Sequence, residues 1–262
     1  MRLNAGCKIS FEANEPIPMI FMLRPRSGLG QWISKEEYVI EPNVPVIEYS
    51  DSYGNLCQRL VVPPGLFKLQ MSVCVDTADE IDVQFDAPLV PAQNLPDNVL
   101  QFLLPSRYCP SDQMNELANQ IVSGVNPGYG QVEAIRSWIQ LNVEYRYGTS
   151  DSSTSAIETA TKRIGVCRDF THLGIALCRS LNIPARMVVG YLYQLEPMDL
   201  HAWFEAFVGD RWYTFDATQQ QPRGNRIAIA YGRDAADVAL STQFGPANLI
   251  DMKVWVTADI AT

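Results

Sequence analysis

The sequence predicts an α+β protein in which a small β-sandwich precedes helices packed on an antiparallel sheet. Strand-like runs without helical periodicity fill the first 85 or so residues, helices follow, and strands return near residue 187 without βαβ alternation. The chain has 262 residues, of which 47% are hydrophobic and 19% charged, so it is long and apolar enough to build a sizeable core.

Residues 1–85 are predicted to form the β-sandwich domain. Period-two or β-rich runs recur between Pro, Gly, Asn and Asp turns, and they lie at 7–11, 19–23, 38–40, 44–49, 56–62 and 67–75. The segment 51–55 has the composition of a hairpin turn. No cluster of reactive side chains occurs in this region, so we interpret it as a structural or docking module.

Five prolines punctuate residues 86–110, which we interpret as a linker. The remainder, 111–262, is predicted to be the core domain. Its helices are expected to begin at Ser111 and to run over about 131–143 and 156–162. Its strands are expected at 187–193, 201–208, 211–216, 226–231 and 252–257.

Charge and composition exclude several classes of partner. The 20 Lys and Arg residues against 29 Asp and Glu give a net charge of −9, which argues against nucleic-acid binding. The most apolar short run, 18–23, is too short to span a bilayer, and no signal peptide is evident, so we expect a cytoplasmic protein with no membrane association. Six cysteines without a C-x-x-C pair indicate reduced thiols rather than disulfides or a zinc ribbon.

One cysteine is predicted to lie at the N-terminus of a buried helix. Apolar residues recur at helical spacing from Phe170 to Leu181, and Asp169 suits the positive end of the helix dipole. Gly165 is expected to allow an unusual backbone conformation just before Cys167. A helix N-terminus stabilises a thiolate and offers free N–H groups to an oxyanion. The alternative is that Cys167 is simply a small buried apolar side chain.

The chain contains only two histidines that could serve as a base, His172 and His201. At about 100° per residue, His172 lies about 140° around the helix from Cys167, so we expect it to be packed or hydrogen-bonded on the far side. Cys178 is about 16 Å along the axis from Cys167, which excludes a disulfide between them and a zinc site that also uses His172. His201 is therefore the candidate base.

His201 opens the predicted strand 201–208, and residues 209–210 form a two-residue hairpin loop to the next strand. This pairing places His201 and Asp216 as diagonal neighbours on one face, with Cβ atoms about 7 Å apart. A slip of one residue would put them on opposite faces. Together with Cys167 they supply a nucleophile, a base and an orienting carboxylate.

These segments resemble three sequence motifs of the transglutaminase-like superfamily, and they are most similar to its bacterial branch, whose members are described as cysteine proteases. The motif segments are 165–170 (GVCRDF), 201–203 (HAW) and 212–218 (WYTFDAT). Residues 53–55 resemble part of the N-terminal β domain of that branch, and residues 231–238 resemble a segment that follows the third motif. The resemblance covers most of the chain.

The resemblance implies a papain-like core in which Cys167 is the nucleophile, His201 the base and acid, and Asp216 the residue that orients the imidazole. It implies no cofactor. Animal crosslinking enzymes of the superfamily have Trp where this chain has Arg168, so their calcium dependence does not carry over. The C-x-x-C zinc pattern of the deglycosylating relatives is also missing from the sequence.

Four further side chains have two interpretations each. Arg168 either orients a substrate carboxylate or is a solvated residue of the first helical turn, and we favour the second. Trp203, Trp212 and Tyr147 either line the cleft or belong to the core, and aromatic residues beside a hairpin are more often core.

The predicted activity is acyl transfer on amide bonds of peptides or proteins through a thioester intermediate. Hydrolysis is favoured over amine transfer because no acceptor site can be recognised in the sequence. The main alternative is a catalytically silent protein whose papain-like core binds a peptide or acts as a scaffold. A metal site on Cys167 and His201 is a weaker alternative because it has too few ligands.

Overall fold

The computed structural model describes residues 1–28, 30–221 and 223–259, and its α+β fold confirms the predicted class. The strands are β1 (Arg2–Ala13), β2 (Ile17–Arg24), β3 (Gln31–Glu41), β4 (Ile47–Ser50), β5 (Leu56–Val62), β6 (Gly65–Thr77), β7 (Glu144–Tyr145), β8 (Ile164–Gly165), β9 (Ala185–Leu192), β10 (His201–Val208), β11 (Arg211–Phe215), β12 (Arg226–Gly232), β13 (Ser241–Gln243) and β14 (Ala247–Ala258).

The α-helices are α1 (Asp97–Leu100), α2 (Asn115–Ile121), α3 (Tyr129–Asn142), α4 (Ala156–Lys162) and α5 (Cys167–Ser180). Short 3₁₀ turns occupy Ala92–Asn94, Gln101–Leu103 and Ser111–Gln113. Over the described residues, no helix is both long enough and apolar enough to cross a membrane.

A β-sandwich is built from two antiparallel four-stranded sheets, with strand orders β14-β1-β6-β3 and β13-β2-β5-β4. Phenylalanines from both sheets meet between them. The ring of Phe21 on β2 lies 5.9 Å from that of Phe11 on β1 and 6.1 Å from that of Phe67 on β6. All three rings are buried, because alternate residues of each strand face the layer between the sheets.

The sandwich includes strands from the C-terminal end of the described chain. β14 pairs with β1 along its length, from Leu3 opposite Ala258 to Ala13 opposite Ala247, and β13 pairs with β2. Both strands lie within the predicted core range 111–262, and here they pair with strands from residues 1–85. A local sequence pattern identifies a strand but carries no information about a partner more than 200 residues away.

The Pro-rich segment 86–110 lies against the core. The carbonyl of Ala87 accepts the N–H of Tyr129 at the start of α3, and the carbonyl of Pro88 accepts the N–H of Gly209. Gly209 is in the loop between β10 and β11 and has a φ of 65°, a left-handed conformation that glycine adopts without strain. The segment therefore supports the hairpin loop.

A third antiparallel sheet, in the order β11-β10-β9-β12, forms the centre of the core. Phe204 pairs with Phe215 and Val208 with Arg211, which confirms the predicted register of the hairpin. Helix α5 packs directly on this sheet, because a Cβ atom at Gly174 would lie only 2.5 Å from the ring of Phe204. The close approach requires glycine at this position of α5.

Side chains of the sandwich cover the free edge of β12. The amide of Asn55 donates to the carbonyl of Tyr231 (2.7 Å) and accepts its N–H (2.8 Å). The amide of Gln31 forms the same pair of bonds with Ala228, at 2.9 and 2.7 Å. The two amides thus replace the neighbouring strand that an edge strand lacks.

Residues 53–55 and residues 231–238, which also resemble the superfamily, contact each other. The hydroxyl of Tyr53 donates to Asp237 (2.8 Å), and Asp237 also pairs with Arg233 (2.9 Å). Asn55, whose side chain joins the edge of β12, is only 1% exposed. These contacts connect the hairpin turn of the sandwich to the core.

Replacing Asn55 with Ala is expected to lower the free energy of unfolding by about 1–3 kcal/mol, because it leaves the N–H and the carbonyl of Tyr231 buried without partners. Denaturation with urea measures this loss. The matched control is Asn98→Ala on the exposed surface of α1, which should change stability by less than about 0.5 kcal/mol. Equal effects of the two substitutions would contradict the role assigned to Asn55.

Candidate active site

Cys167 is the first residue of α5, and the preceding turn is held by a buried carboxylate. Asp169 accepts the N–H of Val166 (2.9 Å) on one oxygen and the hydroxyl of Ser150 (2.9 Å) on the other. A Cβ atom at Gly165 would lie 2.7 Å from the Cβ of Asp169, so only glycine fits there. Its φ lies outside the left-handed region, so its role is this close approach and not the unusual conformation that we expected.

Cys167 is partly exposed, in contrast to residues 169–179 of α5, which are buried. The first N–H groups of an α-helix have no acceptor within the helix. In α5 the N–H groups of Asp169 and Phe170 already donate to the carbonyl of Val166, so those of Cys167 and Arg168 are the candidate donors to a negatively charged oxygen bound near the sulfur.

Tyr145 also lies beside Cys167, and the sequence analysis did not identify it. β7 and β8 pair in parallel with Tyr145 opposite Gly165, which brings the tyrosine to the helix start. Its ring lies 5.7 Å from that of Phe170 and 5.4 Å from that of Tyr147. Burial raises the pKa of Tyr145, as do the neighbouring Cys167 and Tyr147. A pairing of two-residue strands leaves too short a pattern for sequence analysis to detect.

His201 and Asp216 are in direct contact across the hairpin. Nε2 of His201 lies 2.7 Å from Oδ2 of Asp216, and both residues are buried, with 3% and 6% of their surfaces exposed. The second oxygen of Asp216 accepts both the N–H (3.0 Å) and the hydroxyl (2.7 Å) of Thr218. The carboxylate and the imidazole therefore hold each other in a fixed orientation.

The environment favours the charged forms of this pair. Burial lowers the pKa of His201, but the charge of Asp216 and its hydrogen bond, together with Cys167, raise it to about 9. Burial likewise raises the pKa of Asp216, but His201, Arg226 and Thr218 hold it well below its usual range. The interactions with neighbouring groups outweigh the cost of burial for both residues.

One ring nitrogen of His201, Nε2, is occupied by Asp216. A carboxylate can only accept, so Nε2 carries the proton that it shares with Asp216. Cys167 is among the neighbouring groups that raise the pKa of His201. Because Nε2 is occupied, Nδ1 is the nitrogen that can exchange a proton with the sulfur.

Arg226 is a second residue that the sequence analysis missed. It begins β12, its side chain is buried, and its Nη2 lies 2.9 Å from Oδ2 of Asp216. Its guanidinium carbon lies 5.0 Å from the ring centre of Trp203. No local pattern predicts this contact, because Arg226 and Asp216 lie at the ends of strands that are not neighbours in the sheet.

The sequence profile of the transglutaminase-like superfamily matches residues 115–217, which include Cys167, His201 and Asp216. The whole chain also superposes on the crystal structure of "a Putative Cysteine Protease from Cytophaga hutchinsonii" with a TM-score of 0.92. The two are 38% identical, and the match covers 100% of this chain and 92% of that one. This chain belongs to the transglutaminase-like superfamily.

Two mycobacterial proteins are similar to part of the chain. The uncharacterized protein ML0607 of Mycobacterium leprae is 31% identical over 153 residues, which are 55% of this chain and 53% of that protein. The uncharacterized protein Rv2569c of Mycobacterium tuberculosis is 28% identical over 235 residues, which are 81% and 68% of the two chains. The chain thus spans about half the length of the first relative and two thirds of the second.

Within this transglutaminase-like core, Arg168 and the tryptophans have structural contacts. Nη2 of Arg168 donates to the hydroxyl of Ser150 (2.6 Å) and to the carbonyl of Asp151, so it fastens the loop before α4 and is not the solvated residue that we favoured. Trp203 is 3% exposed, which confirms its place in the core. The ring of Trp212 packs on that of Phe207 at 5.5 Å.

His172 lies on the far side of α5, as predicted. It is fully buried, its Nε2 accepts the N–H of Ala235 (3.1 Å), and its ring stacks on that of Tyr108 at 5.0 Å. Burial lowers the pKa of His172 to about 3. The residue is therefore neutral in the folded protein at neutral pH.

The low pKa of His172 predicts a loss of stability in acid. Below about pH 6.5 the unfolded chain binds a proton that the folded chain excludes down to about pH 3, so the free energy of unfolding falls as the pH falls through this window. Replacing His172 with Gln, which can still accept the N–H of Ala235, should remove up to about 1.4 kcal/mol of this loss per pH unit. Urea denaturation at several pH values measures the difference.

The control for this prediction is His201→Gln, which leaves His172 in place. In this variant the decrease in the free energy of unfolding that His172 causes between about pH 6.5 and about pH 3 should remain. Parallel stability curves for wild type and His172→Gln across the window would show that His172 does not carry the effect.

Proposed function

We propose that this protein is a cysteine-dependent acyl-transfer enzyme that acts on amide bonds of peptides or proteins. The observation that carries the proposal is the 2.7 Å contact between His201 and Asp216 beside a cysteine at a helix N-terminus. An imidazole that is oriented by a buried carboxylate is the arrangement that activates a nucleophile. The membership of the superfamily and the relative described as a protease support the same class of chemistry.

In the first half of the proposed reaction, the thiolate of Cys167 attacks the carbonyl carbon of the amide. The carbonyl π electrons move to the oxygen, and the N–H groups at the start of α5 stabilise the negative charge. When the intermediate collapses, the C–N bond breaks and the leaving nitrogen takes the proton from Nδ1 of His201. A thioester on Cys167 and a free amine are the products of this half.

In the second half, Nδ1 of His201 takes a proton from water, which attacks the thioester carbonyl. The C–S bond breaks, the carboxylic acid leaves, and the Cys167–His201 pair returns to its starting state. Cys167 is not fully buried, so water can approach the thioester, and this supports hydrolysis as the favoured outcome. A primary amine in place of water would give a new amide by the same steps.

The competing hypothesis is a silent protein that only binds a peptide. A buried Asp and His in contact have a cost of desolvation that a binding surface does not require. The additional placement of Cys167 at the start of α5 favours the enzyme.

The reactivity of the thiols distinguishes the two hypotheses. Among the cysteines, only Cys167 and Cys74 are not buried, so Cys74 is an internal reference for alkylation in the same chain. With iodoacetamide at neutral pH, Cys167 should react at least about tenfold faster than Cys74, because the pair with His201 supplies the thiolate. Peptide mapping at successive times measures both rates.

His201→Ala should slow alkylation of Cys167 by about tenfold or more and leave the rate at Cys74 unchanged. Equal rates at the two cysteines in wild type, or a rate at Cys167 that does not respond to His201→Ala, would favour the binding protein.

The products distinguish hydrolysis from transfer. Wild type and Cys167→Ala are incubated with a peptide library, with and without a small primary amine, and the peptides are analysed by mass spectrometry. We expect cleaved or deamidated peptides with wild type and a loss of at least about 10³-fold in the variant. Products that carry the amine in preference to water would overturn hydrolysis and retain acyl transfer.

A further inference from the structure

The carboxylate of Asp216 has a cationic partner besides His201. Its oxygen Oδ2 lies 2.7 Å from Nε2 of His201 and 2.9 Å from Nη2 of Arg226. The other oxygen, Oδ1, is occupied by Thr218. The guanidinium and the imidazole therefore share one carboxylate oxygen.

Arg226 is held in this position by contacts on three sides. Its Nε donates to the carbonyl of Arg223 (2.8 Å), and its guanidinium carbon lies 5.0 Å from the ring centre of Trp203. Its main chain pairs with Leu192 of β9. Only 7% of the side chain is exposed, so water screens its charge little.

We propose that Arg226 is a positioning residue, whose ion pair with Oδ2 of Asp216 offsets part of the negative charge that this carboxylate presents to His201. The inference rests on the Cys167–His201 chemistry proposed above. A base that must return its proton to a leaving group works best when it does not hold that proton too tightly. Arg226 limits how strongly Asp216 stabilises the imidazolium.

The charged groups around His201 determine how the removal of Arg226 would change the protonation of the imidazole. Asp216 and Cys167 act on the imidazole directly, and Arg226 acts through the shared oxygen. Without the guanidinium, His201 loses a nearby like charge and, among the described residues, becomes the sole cationic partner of Asp216. Both changes favour the protonated imidazole.

The test is an NMR titration of the histidine ring protons, which does not require a substrate. The chain has two histidines, and His172, which burial keeps neutral, is distinguished from His201 by the His172→Gln variant. In Arg226→Gln and Arg226→Met the pKa of His201 should rise by about one unit, whereas Arg226→Lys, which keeps the charge, should stay within about 0.3 units of wild type.

Arg223→Met is the matched control, because it removes a positive charge three residues away whose polar contacts are with Gln219, Tyr193 and Gln194 and not with Asp216. It should leave the His201 titration within about 0.3 units of wild type.

An unchanged or lowered pKa in the two uncharged variants would overturn the proposal, and so would the failure of both to fold, which would assign Arg226 to general stability. The titration also separates this proposal from the proposed function. A risen pKa in a protein that cleaves no peptide would retain the role of Arg226 and reject the enzyme.

Discussion

The carboxylate of Asp216 is buried, and the free-energy cost of removing a charge from water determines much of what surrounds it. Its two oxygens contact His201, Arg226 and both donors of Thr218. Removal of any one of these partners leaves part of the charge without compensation. The orientation of the imidazole, and with it the proposed activation of Cys167, follows from satisfying this one group.

The fold supplies these partners from separate elements. His201 begins β10, Asp216 follows β11 and Arg226 begins β12, so the site lies at one end of the central sheet. Helix α5 packs on that sheet and brings Cys167 to the same end. The sandwich contributes through the amides of Gln31 and Asn55, which complete the free edge of β12, the strand that carries Arg226. The N-terminal module that we interpreted as structural or docking thus supports the core directly.

Sequence analysis could predict the parts of the site that depend on local pattern. The periodicity of α5 places His172 away from Cys167, and a two-residue loop fixes which face His201 and Asp216 share. The roles of these residues remain proposals, because a contact geometry does not establish a reaction. The division of the chain at residues 85 and 110 also remains a prediction.

The rest could not be predicted because it depends on contacts between distant segments. β14 joins β1 across more than 200 residues, and the buried partner of Asp216 comes from a strand on the opposite edge of the sheet. Gly165 was identified from the sequence, but for the wrong reason. Glycine is required both by a close approach of another group and by an unusual backbone conformation, and the sequence does not distinguish the two. Arg168 looked solvated because its partners lie in a loop 17 and 18 residues earlier.

The measurement that tests the central claim most directly is trapping of the covalent intermediate. Wild type, Cys167→Ala and His201→Ala are mixed with a panel of activated esters, quenched in acid at short times, and examined by intact-protein mass spectrometry with peptide mapping. The account predicts one acyl group per wild-type chain, located on Cys167, which accumulates more slowly in His201→Ala and is not formed in Cys167→Ala. Equal acylation of all three proteins, or acyl groups on Cys74 as often as on Cys167, would contradict it.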